Sequence, residues 1–529
     1  MKSTILLLNV PMIPGARPDN PPPHSVGLMS IAAAVDVRKY SIVIYTPKLD
    51  LNGIVNNPMK EYLKIANDIQ RFRPYLIGFS SLCSSYHHTV SLAKEIKILM
   101  PHVPIVFGGT QASITDMISM EAFPFIDYIL RGEADYTFSQ LLHTLEQKKD
   151  FTNIPGLTYR KKNKIVRNPD APPIKDLDAL PFIDYRLLPK EIMQFDRLEL
   201  EGGRGCPYNC TFCATSGYFR HFYRLKSPKR LIAEMRAIHT LYPHKTHFTF
   251  THDNFTVNRK LVIEFCRELI KENVRFTWDT ASRVNLVDRE LLMLMKRSGC
   301  TRIFFGVESG SQRMQKIIGK NLIINRVKPT LWLCHSVGIA TTASFIVGFP
   351  EETNQDIEDT LHLVIQCKHF GTNRVELHGL SPLPGSALNN QYADSLYFSN
   401  KFISDIAEVV SQKNINLVKK YPKIFSAHYR IPTPHVSEYT LAAIGGFGQV
   451  INNFPKILFR MSKMKKYNSF LTLCKKVGKY LEKNHTSFSK CKSVNEQTMY
   501  IMSQFMQEFS QIEKDLKGVS TRQFILLND

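Results

Sequence analysis

The sequence predicts an α/β protein with an open, doubly wound sheet at the N-terminus, a six-unit partial β/α barrel after it, and a mainly helical C-terminal region. Short apolar runs alternate with amphipathic segments through residues 1–150, and the alternation restarts near residue 196. After about residue 400 only helical periodicity remains. A chain of 529 residues exceeds what one core needs, so several domains are expected. With 43% hydrophobic and 22% charged residues and a mean hydropathy of −0.17, global disorder or a fibrous chain is excluded.

In the first unit (1–150) the apolar runs 5–10, 41–46, 76–81, 105–109 and 128–131 fit buried parallel strands crossed by helices. The first run reads as a buried strand rather than a signal peptide, because no small-residue cleavage site follows it. Such sheets bind ligands at the carboxyl ends of their strands. The segments expected there are 21–27, 80–86, 108–111 and 131–134. Residues 151–195, punctuated by five prolines, read as a structured linker with a hairpin at 157–160 and 164–167.

The second unit (196–400) offers strands at 197–201, 247–251, 275–282, 302–308, 342–348 and 374–380. Ser227-Pro228 supplies an N-cap and N1 proline to one helix; Asp288 opens another and Gly299 closes it. Six units fall two short of a closed eight-stranded barrel. No apolar run approaches the roughly 18–20 residues of a membrane span.

Ten cysteines are too sparse for a disulfide scaffold, and three of them crowd into eight positions, which points to a reducing cytoplasm and a metal site. Cys206, Cys210 and Cys213 stand at i, i+4 and i+7 on a glycine-rich loop after the first barrel strand. Soft thiolates there suit an iron–sulfur cluster or zinc. A structural zinc needs a fourth ligand; His221 is nearest, without a zinc-ribbon spacing. Three ligands leave one iron open to a substrate.

Cys-x3-Cys-x2-Cys with Phe212 before the last cysteine, placed after the first strand of a six-unit chain, resembles the radical S-adenosylmethionine (SAM) enzymes. The resemblance implies that Cys206, Cys210 and Cys213 hold a [4Fe–4S] cluster whose fourth iron takes the amino and carboxylate groups of SAM, with Phe212 against the adenine. Thr251-His252-Asp253-Asn254 stands where the family binds the methionine amino group, so Asp253 or Asn254 is expected to serve. Gly306 to Ser311, with Glu308 and Ser309, matches the family's ribose and carboxylate site, and Phe345 to Glu351, with Gly348, its adenine-contacting strand. Such a cluster needs an external electron donor of flavodoxin or ferredoxin type.

Residues 77–82, 106–110 and 128–134 resemble the cobalamin-binding domains fused to these enzymes, implying corrin contacts at Ser80, Ser81, Leu82, Gly108, Gly109, Gly132 and Glu133. No Asp-x-His-x-x-Gly motif occurs, and neither His24 nor the His87-His88 pair has its spacing, so cobalt without a protein histidine ligand is expected. Cys83 reads as a small buried thiol near the corrin, and Cys266, Cys300, Cys334 and Cys367 as core thiols. Methylthiotransferases, which carry three further N-terminal cysteines, are set aside because only Cys83 precedes Cys206. Candidate walls of a substrate chamber are Tyr86, Tyr218, Arg220, Asp279 and His378.

The net charge of +22 allows nucleic acid, anionic lipid or an acidic peptide as partner. Residues 456–492 hold eleven Lys/Arg and one acid, Glu482. This C-terminal region (401–529) suits peripheral membrane contact or a solvated face over a helical cap. Nucleic acid is not expected, because no recognised module accompanies the charge.

The function that follows is a cobalamin-dependent radical SAM C-methyltransferase acting on an unactivated carbon of a natural-product, peptide or lipid substrate. A radical cyclase and a non-catalytic cobalamin sensor are the alternatives. Anaerobic iron and sulfide analysis of the purified chain separates the classes: the enzyme readings require iron, and near-zero iron would leave a binding module.

Overall fold

The computed structural model describes residues 2–10, 26–47, 57–80, 82–162, 164–188, 195–399, 412–464, 469–488, 491 and 494–515. Two expected contributors to the first crevice, His24 and Ser81, lie outside the described residues.

The first sheet begins with β1 (Ser3–Asn9), β2 (Tyr40–Tyr45), β3 (Leu76–Ser80), β4 (Ile105–Gly108) and β5 (Tyr128–Leu130), ordered β2-β1-β3-β4-β5 and parallel throughout. Helices cover both faces, so β1 is apolar on both: Ile5, Leu6, Leu7 and Leu8 are all buried. Helix Pro58–Gln70 starts where Asn57 accepts the Lys60 backbone N–H and a proline fills the first turn.

β6 (Leu157–Lys161) and β7 (Lys164–Arg167) form the expected hairpin, but they are not a separate linker. β6 pairs antiparallel with β5 and β7 with β6, so the hairpin supplies the edge of the first sheet. Buried Arg131, just past β5, donates to the Thr158 hydroxyl, the Asn168 carbonyl and Asp170, and so fixes the hairpin at that edge.

The second sheet contains β8 (Arg197–Glu201), then, after the short antiparallel pair β9 (Gly203–Arg204) and β10 (Arg224–Leu225), β11 (His247–Thr251), β12 (Thr277–Ser282), β13 (Cys300–Glu308), β14 (Ala340–Val347) and β15 (Arg374–Gly379). These six run parallel in sequence order, leaving β8 and β15 as open edges. Ser227 and Asp288 cap their helices as expected. Gly299 adopts φ +99°, and a Cβ there would stand 2.2 Å from the Phe276 carbonyl oxygen. Behind the sheet Phe250, Phe255, Phe265 and Trp278 pack as one aromatic cluster.

The C-terminal region divides. Residues 412–430 pack on the first unit, where Phe425 meets Tyr86 and Phe123 and the Gln111 amide donates to the Ile424 carbonyl. β16 (Tyr397–Phe398) and β17 (Tyr429–Arg430) form a short antiparallel pair beside them. Helix Glu438–Asn453 instead lies against β15, with Phe470–Lys483 and Val494–Asp515 over it. The basic segment is thus a cap: Phe470, Leu471, Cys474, Val477 and Leu481 are buried, while Lys476, Lys479 and Lys483 face outward. Among the described residues no helix is long and apolar enough to cross a membrane.

Helix Phe470–Lys483 crosses Glu438–Asn453 at Gly478, where a Cβ would stand 2.9 Å from the Thr440 backbone nitrogen. Gly478→Ala should therefore force the helices apart and cost about 1–3 kcal/mol, read as a lower melting temperature. An unchanged melt would mean the crossing is looser than described.

Candidate active site between the two sheets

The carboxyl ends of both sheets face one cavity of about 800 Å³. From the first sheet Ser80, Leu82, Gly108, Gly109, Gly132 and Glu133 line it. From the barrel come Cys206, Cys210, Cys213, Phe212, Asp253, Asn254 and Glu308. Residues more than 300 positions apart in the chain end up in one wall because both sheets point the same ends inward.

Ser309 and Gly348 are not in that wall. Buried Ser309 bonds the Thr360 hydroxyl, and the backbone N–H of Gly348 donates to Glu352 at 2.6 Å, so both serve the turns behind the cavity. Of the five expected chamber walls only Tyr218 lines it, donating to the Gly132 carbonyl at 2.8 Å. Tyr86 is a core side chain bonded to Ser119, Arg220 is an exposed partner of Asp170, Asp279 pairs with Arg197 and His247, and His378 lies near Glu376. Cys83 is half-buried and not in the wall, whereas Cys266, Cys300, Cys334 and Cys367 are buried core thiols as expected.

The cysteine loop is shaped by the protein itself. Gly205 turns it at φ +84°, where a Cβ would lie 2.1 Å from the Phe222 carbonyl oxygen. The Thr211 N–H donates to the Ile318 carbonyl at 3.0 Å, the Leu388 N–H donates to the Thr211 carbonyl at 2.9 Å, and Gly319 packs on the Asn209 carbonyl. Burial pushes the Cys206 thiol up to about 11 and raises Cys210, the latter against the pull of Lys320 and Arg283.

One buried guanidinium joins this loop to the first sheet. Arg204 donates to Glu201 at 2.7 Å, to Glu133 at 3.1 Å, and to both oxygens of Asp135 at 2.8 and 3.0 Å. Arg224 reaches the other oxygen of Glu133 at 2.7 Å. Burial alone would raise Asp135, but the hydrogen bonds and charge of Arg204 hold it below the ordinary carboxylate value.

Glu308 ends β13 at φ +71°, an unfavourable backbone for a side-chain residue, and pairs with Lys320 at 2.6 Å. Any side chain at Gly306 would strike that pair, since a Cβ there would be 2.3 Å from Oε1 of Glu308.

The sequence of the site is matched by two family profiles: the radical SAM superfamily over residues 200–364 and the B12-binding domain over residues 20–142. An uncharacterized methyltransferase of Pyrococcus horikoshii is 31% identical over 327 residues, spanning 61% of this chain and 70% of the relative. The chain belongs to the B12-binding radical SAM enzymes. An anaerobic magnesium-protoporphyrin IX monomethyl ester cyclase of Rubrivivax gelatinosus is 29% identical over 66% of this chain and 64% of its own length. Among solved structures, the radical SAM methyltransferase TsrM of Kitasatospora setae, with cobalamin and a [4Fe–4S] cluster bound, shares the fold at a TM-score of 0.61 and 15% identity, covering 85% of this chain and 96% of that one.

A B12-binding radical SAM enzyme uses a [4Fe–4S] cluster, SAM and cobalamin, and the residues present fit all three. The three thiols open on the cavity and none of them is in a disulfide, so all three are available as soft ligands. Buried beside them, both polar atoms of the Asn254 side chain and Nε2 of His252 have no hydrogen-bond partner among the described residues, which suits a polar amino-acid moiety. On the corrin side a Cβ at Gly132 would meet nothing within 4 Å, and the exposed Leu82 projects an apolar group into the space.

Two wall residues were given no role by the sequence: His252, inside the Thr251–Asn254 segment, and Glu199, which belongs to no motif. Nδ1 of His252 accepts the Asn254 N–H at 2.8 Å, and burial beside Arg224 lowers the ring to about 3, so it is neutral with the proton on Nε2. Glu199 is the middle of three charged residues on the inner face of β8. Arg197 is paired with Asp279 and Glu201 with Arg204 and Lys226, but among the described residues no cation bonds the Glu199 carboxylate. Burial, eased by Arg197 and reinforced by Asp279, raises it to about 7.

A carboxyl raised by folding holds its proton more tightly folded than unfolded, so the folded state loses stability as pH climbs from about 4.5 to about 7. Glu199→Gln removes that cost. The variant should melt higher than the parent by on the order of 2 °C at pH 8 and by less at pH 5; an equal shift at both values would refute the raised carboxyl.

Proposed function

We propose that this chain is a cobalamin-dependent radical SAM C-methyltransferase acting on an unactivated carbon of a natural-product, peptide or lipid substrate. The single cavity shared by the first-sheet wall and the cysteine loop carries the reading, because residues that would hold a corrin and residues that would hold a cluster and SAM face one space in which a substrate would sit. When bound, the cluster and SAM supply a radical and the cobalamin a methyl group.

In this reading the protein positions and encloses. Cys206, Cys210 and Cys213 hold three irons; Asp253 and Asn254 hold the methionine amino group; Glu308, braced by Lys320, faces the ribose and carboxylate; Phe212 lies along the adenine. Ser80, Leu82, Gly108, Gly109, Gly132 and Glu133 would floor the corrin. Tyr218 and Arg204 keep the two walls in fixed register, and an apolar lining that includes Phe304 excludes water from a reactive intermediate. The substrate, a small molecule or peptide, occupies what remains between them.

A ring-forming reaction is the second reading, favoured by the cyclase among the relatives. Mass spectrometry of candidate substrates, chosen from neighbouring genes and incubated with methyl-labelled SAM, decides. Methylation places a labelled carbon in the product; SAM cleavage without label in the product supports cyclisation. Cys210→Ala should abolish reductive SAM cleavage and leave the corrinoid absorption spectrum of the bound protein intact. Cleavage retained in that variant would remove Cys210 from the ligand set.

A further inference from the structure

We infer that the surface over residues 312–332 is the docking face for an acidic electron-carrier protein, which passes one electron to the cluster held by Cys206, Cys210 and Cys213. The inference rests on the cluster reading above. The step makes and breaks no bond: the carrier is oxidised by one electron and the cluster reduced by one.

Position comes first. The segment braces the cysteine loop: Ile318 accepts the Thr211 N–H and Gly319 presses on the Asn209 carbonyl. Among the described residues it is thus a covering of the loop on which a large partner can sit close to the metal without entering the cavity.

Charge is the second observation. From Ser309 to Pro350 the sequence holds five Lys/Arg and no acidic residue. Lys320 is spent on Glu308 and Arg313 on Asp356. Lys316, Arg326 and Lys328 are exposed and form no ion pair among the described residues, Lys328 lying over the Phe370 ring. The third observation is apolar exposure: Ile323 and Trp332 are each 53% exposed within this cationic field. Apolar contact ringed by one sign of charge is how a transient protein interface gains both contact and steering. An acidic carrier matches this charge.

Flavodoxin, reduced to its hydroquinone, is the probe, and the iron-loaded holoenzyme with its full chain is the acceptor. In Lys316→Glu/Arg326→Glu/Lys328→Glu the second-order rate of cluster bleaching at low salt should fall tenfold or more, and the Kd for oxidised flavodoxin measured by calorimetry should rise in parallel. High salt should bring parent and variant together. Reduction by dithionite, a small ion that needs no docking face, should be unchanged, and Lys479→Glu/Lys483→Glu on the basic C-terminal helix should behave as the parent. If the triple reversal loads no iron, Lys316→Gln/Arg326→Gln/Lys328→Gln replaces it, with a loss of about threefold expected. Unaltered flavodoxin kinetics in an iron-loaded variant, equal slowing by the C-terminal reversal, or slowing of dithionite to the same extent overturns the docking face alone. A parent protein that takes up no iron overturns the cluster reading and the inference with it.

Discussion

The buried Arg204 guanidinium is the contact on which the site depends. It stands two residues before Cys206 and binds acids from both sheets, so the first crevice and the cysteine loop share one rigid reference point. Removing one partner of a buried ion network leaves an uncompensated charge, typically costing about 3–5 kcal/mol. Arg224 doubles the connection through Glu133, and Lys226 extends it to Glu234. A charged lattice resists sliding of the first-sheet wall against the cysteine loop in a way an apolar interface does not.

Much of the fold was legible because buried parallel strands are short apolar runs with glycines at their carboxyl ends. Strands 197–201 and 247–251 coincide with β8 and β11, and most other boundaries differ by one or two residues. The hairpin at 157–167 was legible as a hairpin, but not its place: attachment to β5 depends on Arg131 reaching Thr158 and Asp170, a long-range pairing that no local pattern announces. The same limit explains the chamber residues. Tyr86 and Asp279 are polar side chains near strand ends, as wall residues are, yet each is consumed by a partner distant in sequence.

Gly348 and Ser309 illustrate a second limit. Each belongs to a recognisable motif, but the motif shapes a turn: Glu352, raised to about 8 by burial, accepts the N–H groups of Gly348 and Phe349. Glu199, conversely, has no motif and stands in the wall. Its signal lay in the alternation of β8, where Arg197, Glu199 and Glu201 put three charges on the inner face of a barrel strand, a pattern that calls for partners and provides them for only two.

The cysteine loop reaches its final path through bonds to Ile318 and Leu388 and a glycine turn against Phe222, all of them protein to protein. The path of the thiols is therefore set by residues as distant in sequence as Ile318 and Leu388, so the spacing of the three cysteines is a property of the whole barrel and not of the loop alone.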